Sequence, residues 1–317
     1  MRIAVLTSGG DAPGMNATIR AVVRTVLAHN DKVFGVYDGF KGLIEGKIVE
    51  FNRSDVSTIL NRGGTILGTA RLPEFKYDEI AKLAIKQLQK LDIDALICIG
   101  GDGTYRGAQK LINLGFPTVG IPATIDNDVS STDFTIGFST ALATACDAID
   151  KLRDTSSSHQ RCSIIEVMGR DCGDLALYSG ICCGAEYIIT NDTGLDKQEL
   201  LVHLKENRLA GRKHAIIVIS EKITDVHELA KEIEDYSGYE CRAQVLGYIQ
   251  RGGNPTAEDR LLAARMGKYA VDLIRKGVNG VAIGVHQNQM VHTPFEEALA
   301  MTKNTDHSLL RLVARTK

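Results

Sequence analysis

The sequence predicts an α/β protein with mostly parallel sheets, folded as two interlocked domains. Three observations carry that reading. Short apolar, β-branched runs alternate with segments of helical periodicity almost throughout the chain, the pattern of repeated strand–helix units. The loops that follow several of those strands are rich in glycine, aspartate and arginine, and open parallel sheets place their sites at strand carboxyl ends. The 317 residues suffice for two domains, yet no short-period repeat, low-complexity stretch or flexible linker divides them.

Taken in order, Arg2 to Leu6 is the first strand, followed by a glycine-rich turn, Thr7 to Gly14, and a helix from about Met15. In that helix Ile19, Val22, Val23, Val26 and Leu27 form one apolar face, and Arg20 and Arg24 lie one turn apart on another. On their own these arginines read as a solvated face. Lys32 to Val36 is the second strand, and Tyr37 to Arg62 is glycine-interrupted and irregular. A second glycine-rich loop, Arg62 to Arg71, precedes a helix over Asp78 to Lys90. Ala95 to Ile99 is then a continuous apolar run, as expected of a strand buried on both faces. Gly100-Gly101-Asp102-Gly103-Thr104 and a helix from Tyr105 to Leu114 follow it. Thr118 to Ile121 is a strand that ends in Thr124-Ile125-Asp126-Asn127-Asp128.

From Ser139 a second set of strands and helices begins. A helix spans Thr140 to Asp154, and strands are expected at 163–167, 187–189, 215–219 and 243–246. Helices fall near 173–183, 197–208 and 226–236, and the chain closes with a helix over 257–276 and a strand over 281–285.

Composition excludes several classes. A net charge of -2 gives no argument for bulk attraction to nucleic acid, and no apolar run approaches the length of a membrane span. Met1-Arg2 leads straight into a strand without a signal-peptide pattern. The seven cysteines form no CxxC pair and no zinc-ligand spacing with histidine. Cys98, Cys146 and Cys162 lie in apolar surroundings, and Cys182-Cys183 on a helix read as buried small residues. These features point to a cytoplasmic enzyme or binding protein in a reducing compartment.

The chemistry centres on residues 100–104. Strand, glycine turn and helix together direct backbone N–H groups and a helix N-terminus at a phosphate, and the glycines let a polyphosphate approach the backbone. A carboxylate among them, Asp102, fits a bridging Mg2+. The same pattern also describes a tight turn with an exposed aspartate. The loops at 7–14 and 124–128 occupy equivalent strand ends, and three such loops favour the phosphate reading.

With Leu6-Thr7-Ser8-Gly9-Gly10-Asp11-Ala12-Pro13-Gly14-Met15-Asn16, Arg62-Gly63-Gly64-Thr65, the 124–128 motif, Met168-Gly169-Arg170 followed by Cys172-Gly173-Asp174, and Gln250-Arg251-Gly252-Gly253, the chain resembles bacterial ATP-dependent 6-phosphofructokinases over nearly its whole length. The resemblance implies two interlocked Rossmann-like three-layer α/β/α domains. The larger, ATP-binding one is 1–138 with 252–303, and the smaller, sugar-phosphate-binding one is 139–251 with 304–317. It implies transfer of the γ-phosphoryl of ATP to the 1-hydroxyl of fructose 6-phosphate. Asp126 is then the base, and a carboxylate beside arginines stays ionised at neutral pH. Thr124 and Asp128 orient the acceptor and the metal region, while Arg71 and Arg170 stabilise charge on the transferring group. Asp102 holds Mg2+; Gly10, Arg71, Leu72, Gly101, Gly103 and Thr104 line the ATP site.

For the sugar phosphate the resemblance implies Thr124, Ile125 and Asp126, with Met168, Gly169, Arg170 and Glu221. Tyr248, Ile249, Gln250 and Arg251 complete that set in cis, and Arg161 and Arg242 come from a neighbouring subunit of a homotetramer. A regulatory nucleotide site is implied at Arg20, Arg24, Arg53 and Arg153, together with Gly184, Glu186, Arg212, Lys213 and His214. There ADP activates and phosphoenolpyruvate inhibits. This reading replaces the solvated face for Arg20 and Arg24.

Three departures stand out. Tyr248 occupies a position where the family usually has a sugar-phosphate-binding histidine; a phenol donates one hydrogen bond but carries no positive charge at neutral pH. Ala123 stands where glycine is common, and residues 189–192 replace the usual Ile-Pro-Glu-like stretch near the regulatory cleft. Pyrophosphate-dependent relatives typically carry Asp at the position of Gly103 and Lys at that of Ala123, so both residues here favour ATP. The rival readings are a pyrophosphate-dependent phosphofructokinase and a catalytically silent nucleotide- or sugar-phosphate-sensing paralogue.

Overall fold

The computed structural model describes residues 1–303 together with 308, 309 and 312. Of the expected tail 304–317, the other positions lie outside the described residues. The chain divides into two compact units, 1–140 with 251–303 and 141–250. The first boundary falls two residues later than expected and the second one residue earlier, so Arg251 belongs to the first unit.

In chain order the first unit opens with β1 (Arg2–Thr7), α1 (Met15–Ala28), β2 (Lys32–Val36), α2 (Gly39–Glu45) and β3 (Ile48–Phe51). It continues with α3 (Asp78–Lys90), β4 (Ala95–Gly100), α4 (Asp102–Asn113) and β5 (Thr118–Pro122). The boundary lies inside α5 (Phe138–His159). The second unit holds β6 (Arg161–Val167), α6 (Asp174–Cys182), β7 (Tyr187–Ile189), α7 (Lys197–Leu209), β8 (Ala215–Ser220), α8 (Val226–Ser237) and β9 (Glu240–Val245). The chain then returns with α9 (Ala257–Arg275), β10 (Val281–His286), β11 (Gln289–Pro294) and α10 (Phe295–Ala300).

Strand order in the first sheet is β11-β10-β5-β4-β1-β2-β3. The pairings are parallel except at the two edges, where β2–β3 and β10–β11 run antiparallel. The chain order runs outward in one direction from β1 to β2 and in the other from β4 to β5. The gap between β1 and β4 is therefore the switch point at which the carboxyl-end loops diverge. All six residues of β4 are buried. Ala4, Leu6, Leu96 and Cys98 join one core cluster with residues of α3 and α4. Their alternates, Ile3, Val5, Ile97 and Ile99, are fully buried as well, as period-2 strands covered on both faces require. The second sheet, β7-β8-β6-β9, is wholly parallel. The architecture is α/β with mostly parallel sheets, as the alternation of elements predicts.

Several elements differ from expectation for local reasons. The stretch read as irregular contains α2 and β3. The helix has only seven residues and is bracketed by left-handed Asp38 and Gly46, too short to show a period. Helix α4 starts at Asp102 rather than Tyr105, because Gly101 is its N-cap, so Asp102, Gly103 and Thr104 form its first turn. Helix α5 continues to His159 through a polar end in which Ser156 and Ser158 return hydroxyl bonds to carbonyls four residues back. Strand β9 begins at Glu240, with polar residues alternating along a sheet edge, and edge strand β11 carries no apolar run. The cysteine reading also changes. Cys182 is exposed, and Cys146 and Cys183 are half-buried, because they lie where the end of α6 meets the flank of α5.

Candidate active site

In the first unit, three loops at strand carboxyl ends are fastened to one another by the backbone. The Ser8 N–H donates to the Ile99 carbonyl at 3.0 Å, and the Thr104 hydroxyl donates to the Ser8 carbonyl at 3.0 Å. A methyl group on Gly100 would lie 2.4 Å from the Ser8 oxygen and 2.3 Å from the Thr104 hydroxyl, so only glycine fits there. The Ala123 N–H closes the set by donating to the Gly100 carbonyl at 3.1 Å. Gly101 faces Thr124, whose Cβ lies 3.6 Å from where a Gly101 side chain would begin. Gly10 stands against the Arg251 guanidinium, 3.5 Å from its would-be Cβ.

The 62–71 loop joins them through a residue the sequence reading did not single out. Asn16, buried in the first turn of α1, donates its amide to the carbonyls of Arg62 and Gly64 and accepts the Ile66 N–H at 2.8 Å. Thr7 and Thr65 share a hydroxyl contact of 2.9 Å.

The carboxylate loop is braced by a second such residue. Asn127, buried with φ of 52°, accepts the Thr135 N–H at 2.9 Å and donates to the Asp133 carbonyl. Left-handed Asn is tolerated because its short amide bonds locally. The residues on either side, Asp126 and Asp128, are half-buried, whereas Ile125 is buried. The Asp126 N–H donates to the Thr124 hydroxyl at 3.2 Å, and Thr135 holds the Thr124 carbonyl at 2.7 Å. Asp102, in the first turn of α4, accepts a bond of 3.0 Å from Arg106 Nε one turn later.

Beside these loops lies a cavity of about 600 Å³. Arg71, Leu72, Gly103 and Thr104 line it, as do Ser8 and Gly9. Gly10, Gly101 and Asp102 are not among its lining residues. Phe40 and Phe75, with ring centroids 4.2 Å apart, form its apolar part, and the Phe40 ring fits only because Gly107 has no side chain. The sequence reading missed Arg106, Gly107 and Lys110, which also line the cavity. Their spacing from Gly103, i+3, i+4 and i+7 on one helix face, was the available signal.

In the second unit the expected sugar-phosphate residues separate into two groups. Met168, Gly169 and Arg170 follow β6, Glu221 follows β8, and Gly247–Arg251 form a 3₁₀ turn after β9. The Arg170 N–H donates to Glu221 at 2.7 Å; Arg170 is left-handed at φ 58°, and Gly169, at φ 144°, turns tightly against the Cys172 carbonyl. Gln250 is wholly buried, and its amide joins the Met168 N–H to the Gly247 carbonyl. Its contacts are those of a brace. Tyr248 and Ile249 are 76% and 59% exposed.

Arg161 and Arg242 form the other group. Arg161 opens β6 opposite Glu240, and Arg242 pairs with Ser163. At roughly 3.3 Å per residue they stand about 20 and 13 Å before the carboxyl end of β6. Both are engaged with carboxylates: Arg161 with Glu240 at 2.8 Å, and Arg242 with Glu240 and Glu234. Arg161, with Arg242 adding to it, holds the Glu240 carboxyl below its usual range.

The expected effector residues also fall in both units. Arg20, Arg24 and Arg53 belong to the first; Arg153, Gly184, Glu186, Arg212, Lys213 and His214 belong to the second. The Nε atoms of Arg20 and Arg24 are buried without a hydrogen-bond partner among the described residues, unlike a freely solvated face. Glu186 accepts the Ile216 N–H at 2.6 Å, and Arg153 donates to the carbonyls of Cys183 and Gly184. Arg53, Arg212 and Lys213 are exposed.

Among the described residues no helix is long and apolar enough to cross a membrane. The phosphofructokinase family profile matches residues 2–274. The chain is 56% identical over 313 residues to an ATP-dependent 6-phosphofructokinase of Vibrio campbellii, covering 99% of this chain and 98% of that one. It is 57% identical over 302 residues to one of Photobacterium profundum, covering 95% and 94%. Among solved structures it matches phosphofructokinase from Saccharomyces cerevisiae with a TM-score of 0.86 and 35% identity, covering 99% of this chain but 47% of that one. A pyrophosphate-dependent phosphofructokinase from Marinobacter aquaeolei, 21% identical over 96% of this chain and 86% of its own, shares the fold with a TM-score of 0.87. Matched along almost its entire length by profile, sequence and fold, the chain belongs to the phosphofructokinase family.

Proposed function

We propose that this protein transfers the γ-phosphoryl of ATP to the 1-hydroxyl of fructose 6-phosphate, giving fructose 1,6-bisphosphate and ADP. The observation that carries the reading is the fastening of residues 8–10, 100–104 and 123–128 to one another beside a 600 Å³ cavity. A nucleotide lies in the cavity with its base against the apolar wall of Phe40 and Phe75 and its phosphates against the glycine loops and Arg71. Asp126 accepts the hydroxyl proton as the bond to phosphorus forms, and Thr124 and Asp128 orient the acceptor. Arg71 and Arg170 neutralise charge that grows on the transferred group.

Asp102 is a single, partly exposed carboxylate on the phosphate loop, and among the described residues no cluster of three or more His, Cys, Asp or Glu is arranged to hold a metal. That fits Mg2+ arriving with the nucleotide, since Mg2+ is commonly held by one or two carboxylates plus substrate phosphates. When bound there it screens the phosphate charge.

Donor choice follows from two positions. A side chain on Gly103 would meet nothing within 4 Å, so its absence leaves free space at the edge of the cavity. Ala123 is fully buried and supplies no cation for a small donor. Both favour ATP over pyrophosphate.

Met168, Gly169, Arg170, Glu221, Ile249 and Arg251 bind the sugar phosphate in cis, with Tyr248 as one neutral donor. Arg161 and Arg242 serve a neighbouring subunit's site in a homo-oligomer, a reading supported by their distance from the carboxyl end of their own sheet. Arg20, Arg24, Arg53, Arg153, Arg212 and Lys213 bind the phosphates of ADP or phosphoenolpyruvate, with Glu186 on the metal side and Gly184 and His214 completing that site. The unpartnered Nε atoms of Arg20 and Arg24 support the assignment. Seven free cysteines fit a cytoplasmic setting.

The test is ADP release with fructose 6-phosphate and Mg2+, with pyrophosphate offered separately. ATP-dependent formation of fructose 1,6-bisphosphate is expected. Turnover with pyrophosphate alone refutes the donor assignment, and silence with both donors in the assembled oligomer refutes the enzyme.

A further inference from the structure

Three of the seven thiols converge in the second unit, beside Arg153 and Gly184. Cys146 lies on α5, Cys182 closes α6, and Cys183 is the C-cap residue of α6. The Cys183 Sγ is 3.8 Å from the Cys146 carbonyl oxygen, so the C-cap of α6 meets the flank of α5 at Cys146. Cys182 is exposed and the other two are half-buried, whereas Cys98, Cys162 and Cys241 are buried. Access and proximity therefore coincide at one cluster only among the described cysteines.

The two neighbouring donors, Cys183 foremost, lower the pKa of the Cys146 thiol against the opposing effects of burial and of the Asp150 carboxylate. Its partners move the other way: the Cys183 thiol is raised, chiefly by its bond to Cys146, and that of Cys182 is raised, chiefly by burial. With the Cys183 sulfur held against the Cys146 backbone, a second thiol stands beside the one whose pKa is lowered, which is the arrangement of an oxidisable site.

We propose that Cys146 and Cys183 form a reversible thiol–disulfide site that reacts with low-molecular-weight disulfides. The Cys146 thiolate attacks one sulfur of glutathione disulfide; a Cys146–glutathione bond forms and one glutathione thiolate leaves. Cys183 gives up its proton to that thiolate or to water, and its sulfur attacks the Cys146 sulfur. The internal Cys146–Cys183 bond forms and the second glutathione leaves. Two protein thiols are oxidised by two electrons, and one glutathione disulfide is reduced to two glutathiones. Arg153 already ties α5 to the carbonyls of Cys183 and Gly184, so the bond adds a covalent tie between the same two helices.

The test uses the full-length protein in glutathione buffers of decreasing reduced-to-oxidised ratio, quenched by alkylation and mapped by peptide mass. The expected result is a Cys146–Cys183 cross-linked peptide while Cys98, Cys162 and Cys241 remain alkylatable. Cys146→Ser abolishes the cross-link, and Cys182→Ser retains it. In the reduced protein at neutral pH, Cys146 is alkylated at least about tenfold faster than Cys98, a comparison that needs no variant. The proposal is overturned if Cys146 stays alkylatable throughout, if the buried thiols oxidise in step with it, or if Cys146 joins Cys182 in the wild-type protein.

Discussion

The two units build their proposed sites from different materials. In the first, position is set by backbone: Gly100 packed against the Ser8 carbonyl, Gly63 against that of Gly253, and loops bonded to neighbouring strands. In the second, charged side chains stand at or near strand ends, engaged with carboxylates such as Asp171 and Glu240. A nucleotide's phosphates are bound closely by N–H groups, which need bare backbone and a rigid sheet behind them. A sugar phosphate, in a chain of net charge -2, needs local cations, and Arg161, Arg170 and Arg242 each stand beside a carboxylate. The first site is therefore vulnerable to a methyl group, and the second to loss of a charge.

The largest effect is expected at the proposed base in the first unit. Asp126→Ser removes the proposed base while the Asn127 brace keeps the loop in place. Turnover falls by about 10³-fold or more, in the range for loss of a general base, with nucleotide binding and the melting temperature held. A variant retaining a tenth of the activity removes Asp126 from that role. Arg170→Ala comes next. It is expected to lower turnover by about 10²–10³-fold and to leave unfolding unchanged, since the Arg170 contact with Glu221 is made by its backbone N–H. A loss confined to the Michaelis constant assigns Arg170 to binding alone.

How much of this was legible in the sequence follows the same division. Strands β1, β4 and β5 and the loops after them stood out, because continuous apolar runs and glycine clusters are local signals. Asp102 was legible from its place in a glycine turn between strand and helix, whereas the roles of Asp126, Arg71 and Arg170 were legible only through the motif set, since an isolated aspartate or arginine has no chemical signature of its own. The braces Asn16, Asn127 and Gln250 were not legible. Their partners lie 46 to 50, 6 to 8 and, for Gln250, 3 and 82 residues away, and a buried amide looks in sequence like any polar loop residue. Edge strand β11 escaped because it carries no apolar run, and α2 because seven residues give under two full turns. The cysteine cluster was misread because an apolar context along the chain does not report where a helix end emerges.

A glycine pair sharpens the comparison within the first unit. Gly100→Ala places a methyl 2.4 Å from a carbonyl oxygen, and overpacking of this kind costs about 1–3 kcal/mol. The melting temperature is expected to fall, with activity lost in proportion to folded protein. Gly103→Ala meets nothing within 4 Å and leaves stability nearly unchanged; because Gly103 lines the cavity, it raises the Michaelis constant for ATP instead. Equal melting temperatures for the two variants break the claim that the loop is built by close backbone approach.

The smallest effect tests the second unit at its one substitution of character. Tyr248 is 76% exposed on the turn after β9, so a change there leaves the core untouched. Its phenol offers the sugar phosphate a single neutral hydrogen bond, whereas a histidine drawn into its charged form by the phosphate adds an ion pair. Tyr248→His is therefore expected to lower the Michaelis constant for fructose 6-phosphate about two- to fivefold, the worth of one solvent-exposed ion pair. The gain should grow as pH falls from 8 to 6, because only the protonated ring carries the charge, and should shrink with added salt. Binding that tightens equally at both pH values assigns the effect to shape. Binding that does not tighten at all shows that the arginines alone hold the phosphate and that the tyrosine was never a weakened histidine.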